Sequence, residues 1–265
     1  MYFINSSLSW LNKMPASVHC ILFMLSFVLL SQLAMIAFER SAAFRKLQTD
    51  NEVAGIIFGA ISTLYSLVLA FVIIACWNDY EDLNQTIEAE TDKLSGILTY
   101  SEALPVKVRQ DIHDAVFTYT AGVLNKDWQA DGGDDAISSS AIPSLRMLLL
   151  TAEPKNKVEE RVYNVLDSDL GSLSDLRRER LSHTRSRIPS SVWFILEIGS
   201  AVLILFSFLL RTASVKLKRI YLLVLSSAIA LCMYLVYSLD HPFQHNQISS
   251  QPYQVFLNSI KRTGV

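Results

Sequence analysis

Three groups of residues have the types and spacing that chemistry would need. Gly55, Gly59, Ser62, Ser66 and Ala70 recur every three or four positions, which puts them on one face of a helix. Small and hydroxyl side chains on one face leave room for a partly hydrated ion, so these five are candidate pore-lining residues. The same spacing also serves close helix packing of the GxxxG kind, from Gly55 to Gly59, and taken alone it favours packing. Asp79, Glu81 and Asp82 follow directly after this stretch. Repeated by symmetry, such an acidic collar would attract cations or hold a divalent ion; the plainer reading is a solvated helix surface. Glu88 and Glu90 come next, and Arg177, Arg178 and Arg180 lie far along the chain. An unpaired glutamate on a buried seam is costly, so a Glu–Arg latch is the structural role expected of these five.

Other candidates are weaker. LDHPF (Leu239 to Phe243) singles out Asp240, Pro242 and Phe243. Asp240, His241 and His245 lack a third strong ligand close by, so no metal is expected. His113 and His183 read as solvated residues on polar helices. No GxSxG, Walker loop, GxGxxG or HExxH occurs, and the serines of the apolar spans have no nearby base. Neither an enzyme nor a cofactor is expected.

The elements that would carry these residues follow from hydropathy. Of 265 residues, 51% are hydrophobic and 18% charged. The apolar ones are bunched into long runs, the mark of an integral membrane protein in contact with the lipid bilayer. A net charge of −2 offers nothing to nucleic acid. Cys20, Cys76 and Cys232 all lie in or beside apolar runs and suggest no disulfide framework or metal site. Spans are expected at 18–38, 53–77, 190–210 and 220–239. The second holds no charge over 25 residues, enough to cross a hydrocarbon core of roughly 30 Å. The first is too long for a signal peptide and has no cleavage pattern after it.

No Gly or Pro interrupts the passage from Trp77 to Ser95. Beyond the membrane, Tyr80, Leu83, Ile87, Leu94 and Ile97 keep the spacing of a coiled-coil seam, with Glu90 in an apolar place. The spacing predicts one long helix that leaves the bilayer as a stalk. Residues 78–188 read as a helical extramembrane domain. Pro105 opens a helix to about Trp128, the Asp131–Asp135 run is a loop, and Pro143 starts a short apolar helix. Pro154 begins a last helix with a stripe of Val158, Val162, Val165, Leu166, Leu170, Leu173 and Leu176, and Gly171 as a possible kink. Residues 1–77 hold the first two spans, 189–239 the last two, and 240–265 a polar tail. The fold class is therefore all-α, with four transmembrane helices and a helical bundle inserted between spans two and three.

Four spans place both termini and the bundle on one face. The two hairpin loops hold seven Lys/Arg, among them Arg40, Arg45, Lys46 and Arg211, which by the positive-inside rule would be cytoplasmic. Arg177, Arg178, Arg180, Arg185 and Arg187 crowd the other face. The two counts oppose each other and assign no orientation.

Four stretches carry a family pattern: Gly59 to Glu90, Tyr119 to Trp128 (YTAGVLNKDW), Arg177 to Trp193 and Leu239 to Tyr253 (LDHPFQHNQISSQPY). Through them the chain resembles the bestrophin-like domain proteins of bacteria and plants, membrane proteins of four spans. Two residues depart from the pattern: Asp127 stands where Glu is usual before Trp128, and His245 where Gly is usual after PF. The bestrophin label implies anion channels assembled as pentamers from four-span subunits, with the helices between spans two and three in the cytoplasm. The resemblance thus implies a homo-oligomer passing inorganic ions, in a bacterial inner (plasma) membrane. No motif matches a bestrophin selectivity neck residue by residue.

Two functions compete. An oligomeric ion channel would conduct along span two, through a pore expected to be lined by hydroxyls and backbone alone. A non-conducting scaffold or sensor would instead bind a protein partner through the 78–188 bundle, its small-residue face packed and dry. A membrane enzyme would need a polar cluster at membrane depth, and none is expected.

Overall fold

A computed structural model describes residues 15–40, 51–128, 136–183, 188–210, 212, 214–243 and 248–263. Arg45, Lys46, the Asp131–Asp135 loop, Arg185, Arg187, Arg211 and His245 lie outside the described residues. The elements are helices throughout: α1 (Ala16–Arg40), α2 (Asn51–Ser101), α3 (Val106–Gly122) continued by a π-helical turn (Val123–Asp127), α4 (Ala136–Thr151), α5 (Lys157–Ser182), α6 (Ser190–Leu209), α7 (Val215–Asp240) and α8 (Gln251–Thr263). They fall into two compact units, one of residues 1–78 and 186–241, the other of residues 79–185 and 242–265. α2 contributes to both, unbroken over 51 residues.

The first unit is the membrane unit. Its helices α1, α2, α6 and α7 are each long and apolar enough to cross a bilayer. Prolines set two of their starts. Pro15 accepts from the amides of Val18 and His19 at 3.0 and 3.2 Å, and Pro189 from Val192 and Trp193 at 2.9 and 3.3 Å. Proline has no N–H to lose at the first turn, so it starts a helix without cost. Long-range bonds then tie the helices together. Tyr234 Oη donates to the Ala16 carbonyl at 2.9 Å, and Lys218 Nζ reaches the Phe208 carbonyl near the end of α6, also at 2.9 Å. One side of α2 is fixed by Tyr65, whose hydroxyl donates to the Leu196 carbonyl at 3.1 Å. Its ring lies so close to Gly199 that a Cβ there would sit 2.5 Å from two ring carbons. Only glycine lets α6 approach this tyrosine.

The second unit has its own core. Leu83, Ile87, Leu94 and Ile97 are all buried to 1% exposure or less, and Tyr80 packs against them half-buried. The seam spacing therefore reads the buried side of the stalk. Ile112, Val116 and Val123 of α3 and its π-helical turn join this core, as do Leu145 and Leu149 of α4 and Leu166, Leu170 and Leu173 of α5. Asn156 caps α5, accepting from the Val158 and Glu159 amides at 2.9 Å each.

Three local expectations need correction. Pro143 lies inside α4, which begins seven residues earlier at Ala136; the proline forfeits one backbone bond, and burial of Ala141, Ile142 and Leu145 around it offsets the loss. On α5, Val158 and Val165 point outward at 55% and 38% exposure. They sit off the Leu166–Leu170–Leu173 line, so the apolar stripe is narrower than the valines suggest. His113 and His183 are not solvated. Their side chains are 11% and 3% exposed, with ring nitrogens 3.6 Å from Glu102 and 3.5 Å from Glu179.

Candidate functional site

In the membrane unit, the small-residue face of α2 is open. A Cβ built on Gly55 or Gly59 would meet nothing within 4 Å, and Ser66 and Ala70 are exposed while Ser62 is half-buried. The hydroxyls bond back to their own helix, Ser62 Oγ to the Phe58 carbonyl at 2.7 Å and Ser66 Oγ to the Ser62 carbonyl at 2.8 Å. Such back-bonding satisfies a hydroxyl in an apolar setting while leaving its oxygen able to accept another bond. Among the described residues no other helix covers the two glycines.

Next along the helix, Glu81 and Asp82 are exposed and Asp79 half-buried. Gln85 Nε2 lies 3.5 Å from Glu81 Oε1. The three carboxylates succeed one another around the helix, and the described residues hold no cluster of three or more His, Cys, Asp or Glu that could bind a metal.

The second unit brings together Glu90 and Arg180, both at 0% exposure. Arg180 Nε donates to Glu90 Oε2 at 2.9 Å and its Nη2 to Oε1 at 3.4 Å. Tyr119 Oη also donates to Glu90 Oε1. The Arg180 guanidinium carbon lies 5.9 Å from the centre of the Tyr253 ring, near enough for a cation–π contact. One ionic node thus ties α2, α3, α5 and α8 together. The other latch candidates stand apart from it. Glu88 is exposed and Arg177 half-buried, while Arg178 pairs with Asp175 at 2.9 Å on the surface.

Burial, reinforced by the Glu90 charge, pushes the Tyr119 and Tyr253 hydroxyls well above their ordinary 10.0. Burial opposes the Arg180 charge, but Tyr253, Glu90 and Tyr119 around it favour that charge and its pKa is raised. The tyrosines have a consequence at high pH. Above pH 10.0 the unfolded chain releases protons that the folded unit keeps, so stability present below that value is lost as pH rises past it. The thermal midpoint of purified protein is expected to fall between about pH 9 and about pH 11, and less steeply in Tyr119→Phe. Parallel curves for the two proteins, followed by circular dichroism, would rule this origin out.

The LDHPF residues divide their work. Asp240, 7% exposed, accepts from the Ile188 amide at 3.1 Å and from Trp193 Nε1 at 3.3 Å. It thereby fixes the entry into α6. In the second unit, Phe243 packs edge-on against Trp128, with ring centres 5.3 Å apart, and Pro242 accepts from the Ile248 amide at 3.0 Å.

The sequence pattern of the Bestrophin-like domain matches residues 25–253. The chain belongs to the bestrophin-like family. Crystal structures of a bacterial bestrophin homologue from Klebsiella pneumoniae share its fold. One point variant superposes with a TM-score of 0.68 at 14% identity, covering 91% of this chain and 96% of the homologue. Another gives 0.65 at 15% identity, covering 93% and 99%. A third structure of that homologue also gives 0.65, at 14% identity over 91% and 96%. No curated protein matches this chain.

In this bestrophin-like chain one residue of the spans escaped the sequence reading. Glu197 lies in α6, in the sequence WFILEIGS, a carboxylate within a membrane span. The signal was a single acidic residue in an otherwise apolar run of 20, which hydropathy averaging hides. The role of Asp240 had no such signal, because its partners are 47 and 52 residues away.

Proposed function

We propose that this chain is one subunit of an oligomeric ion channel of bestrophin-like layout, conducting passively along the Gly55–Ala70 face of α2. The observation that carries this reading is the openness of that face: small residues and hydroxyls, with its two glycines uncovered by any described residue of the chain, on the helix that continues into the stalk. A hydrocarbon-facing helix gains nothing from glycines and serines, whereas copies arranged around an axis would use them to keep a path wide enough for ions. Asp79, Glu81 and Asp82 would then ring one mouth of the path. Membership of the bestrophin-like family supports the channel class; the acidic ring sets the sign of the permeant ion as the question to measure.

The test is ion flux from liposomes holding the purified protein, with chloride and potassium gradients imposed separately. Flux with a measurable reversal potential is expected, and its sign identifies the permeant ion. An intact oligomer silent under both gradients would overturn the channel reading. That result would favour the scaffold reading, for which the second unit offers exposed apolar residues, Met147 at 63% and Leu150 at 71%.

A further inference from the structure

Within the membrane unit, α1, α6 and α7 border a lateral groove of about 710 Å³. Phe23, Phe27 and Leu30 of α1 and Ile204 and Leu205 of α6 make most of it apolar. At one end stand Trp193, Glu197, Tyr237 and His241. We propose that this groove binds a phospholipid whose headgroup carries a primary amine, with the ammonium on Glu197 and an acyl chain along Phe23, Phe27 and Leu205.

Depth is the first argument. Glu197 lies seven residues into α6, about 10 Å along the axis. Helical side chains lean toward the N-terminus, so its carboxylate reaches back toward the turn of Trp193. Trp193 and Tyr237 are of the types that settle at the membrane interface. The carboxylate is therefore held just beneath the headgroup layer, where a lipid amine can be drawn in to meet it.

Charge is the second. Glu197 is exposed, and among the described residues no side chain is bonded to its carboxylate. An ionisable group at this depth is costly unless something neutralises it. Among the described residues no lysine or arginine lines the groove, so the complement is assigned to the occupant, and a purely anionic headgroup would be repelled. The Tyr237 and His241 rings stack with centres 4.8 Å apart, and aromatic faces beside a carboxylate suit a cation. His241 is already engaged, its Nδ1 lying 3.3 Å from the Tyr237 carbonyl and 3.7 Å from Asp240. A primary ammonium can donate hydrogen bonds to Glu197, and a quaternary choline cannot.

The experiment is native mass spectrometry of the purified, delipidated protein given equal amounts of phosphatidylethanolamine, phosphatidylglycerol and phosphatidylcholine with identical chains. Severalfold preferential retention of phosphatidylethanolamine is expected, erased by Glu197→Gln. Ala201→Phe, which fills the groove, is expected to lower retention of all three lipids while leaving helical content unchanged. Equal retention of the three lipids by the unaltered protein overturns the proposal, and so does a preference that survives Glu197→Gln. A change in subunit number in Glu197→Gln with no change in lipid retention also overturns it, and would assign the groove to a second copy of the chain.

Discussion

Arg180→Ala is expected to be among the most destabilising single substitutions in this protein, by about 3–5 kcal/mol. The substitution leaves Glu90, at 0% exposure, as a buried carboxylate whose one charged partner has gone. Neutral hydroxyls such as that of Tyr119 would remain beside it, and water cannot reach the site without opening the core around Ile87 and Leu94. Against a total stability of about 5–15 kcal/mol, such a loss removes a large share. Glu90→Ala should be comparably harmful, since it strands the guanidinium. The double substitution Glu90→Leu with Arg180→Met should recover most of the stability, because a buried ion pair repays little more than its own desolvation. Thermal unfolding in detergent, followed by circular dichroism, measures all three. If Arg180→Ala melts with the unaltered protein, the ion pair is not what holds the stalk to α5. If the double variant melts as low as the singles, the charges do more than neutralise each other.

That node shows how far the sequence can be read. Glu90 announced itself by breaking an apolar seam of otherwise regular spacing, and the seam residues are buried because a periodic stripe leaves one face for a core to use. Its partner could be narrowed to a cluster of arginines but not to Arg180, since the choice depends on the phase of α5, and the exposed Val158 and Val165 blur that phase. The long apolar runs were legible for a different reason, that length and hydropathy alone decide what can span a bilayer. Residues 240–265, by contrast, read as a polar tail, yet Tyr253, Phe256 and Ile260 of α8 are buried in the second unit. Their spacing of three and four was present, but averaged over a polar segment it was too short a signal. Glu197 was lost to the same averaging in the opposite sense. Whether the small-residue face of α2 is packed could not be read at all, because spacing reports what a face permits and only the neighbouring helices report what covers it.

The open face leads to the other large effect. In a protein whose Cys20, Cys76 and Cys232 have been replaced, Ser66→Cys is expected to react with a charged, water-soluble thiosulfonate, and ion flux is expected to fall to near the liposome background. The exchange itself costs little, because Ser66 Oγ bonds only its own helix. Leu64→Cys supplies the comparison. Two residues along a helix turn the side chain by about 200°, so it emerges on nearly the opposite side, and Leu64 is 65% exposed there. A thiol facing hydrocarbon does not ionise, and the thiolate is the reacting species, so Leu64→Cys should stay unmodified and conduct normally. The pair separates the competing uses of α2 where Gly59→Leu cannot, since a leucine would harm a packed interface and a pore alike. Reaction at position 66 alone means that water reaches the small-residue face while the far side stays in lipid. With both positions unreactive, that face is dry and packed against another copy, and the conducting path would have to lie elsewhere.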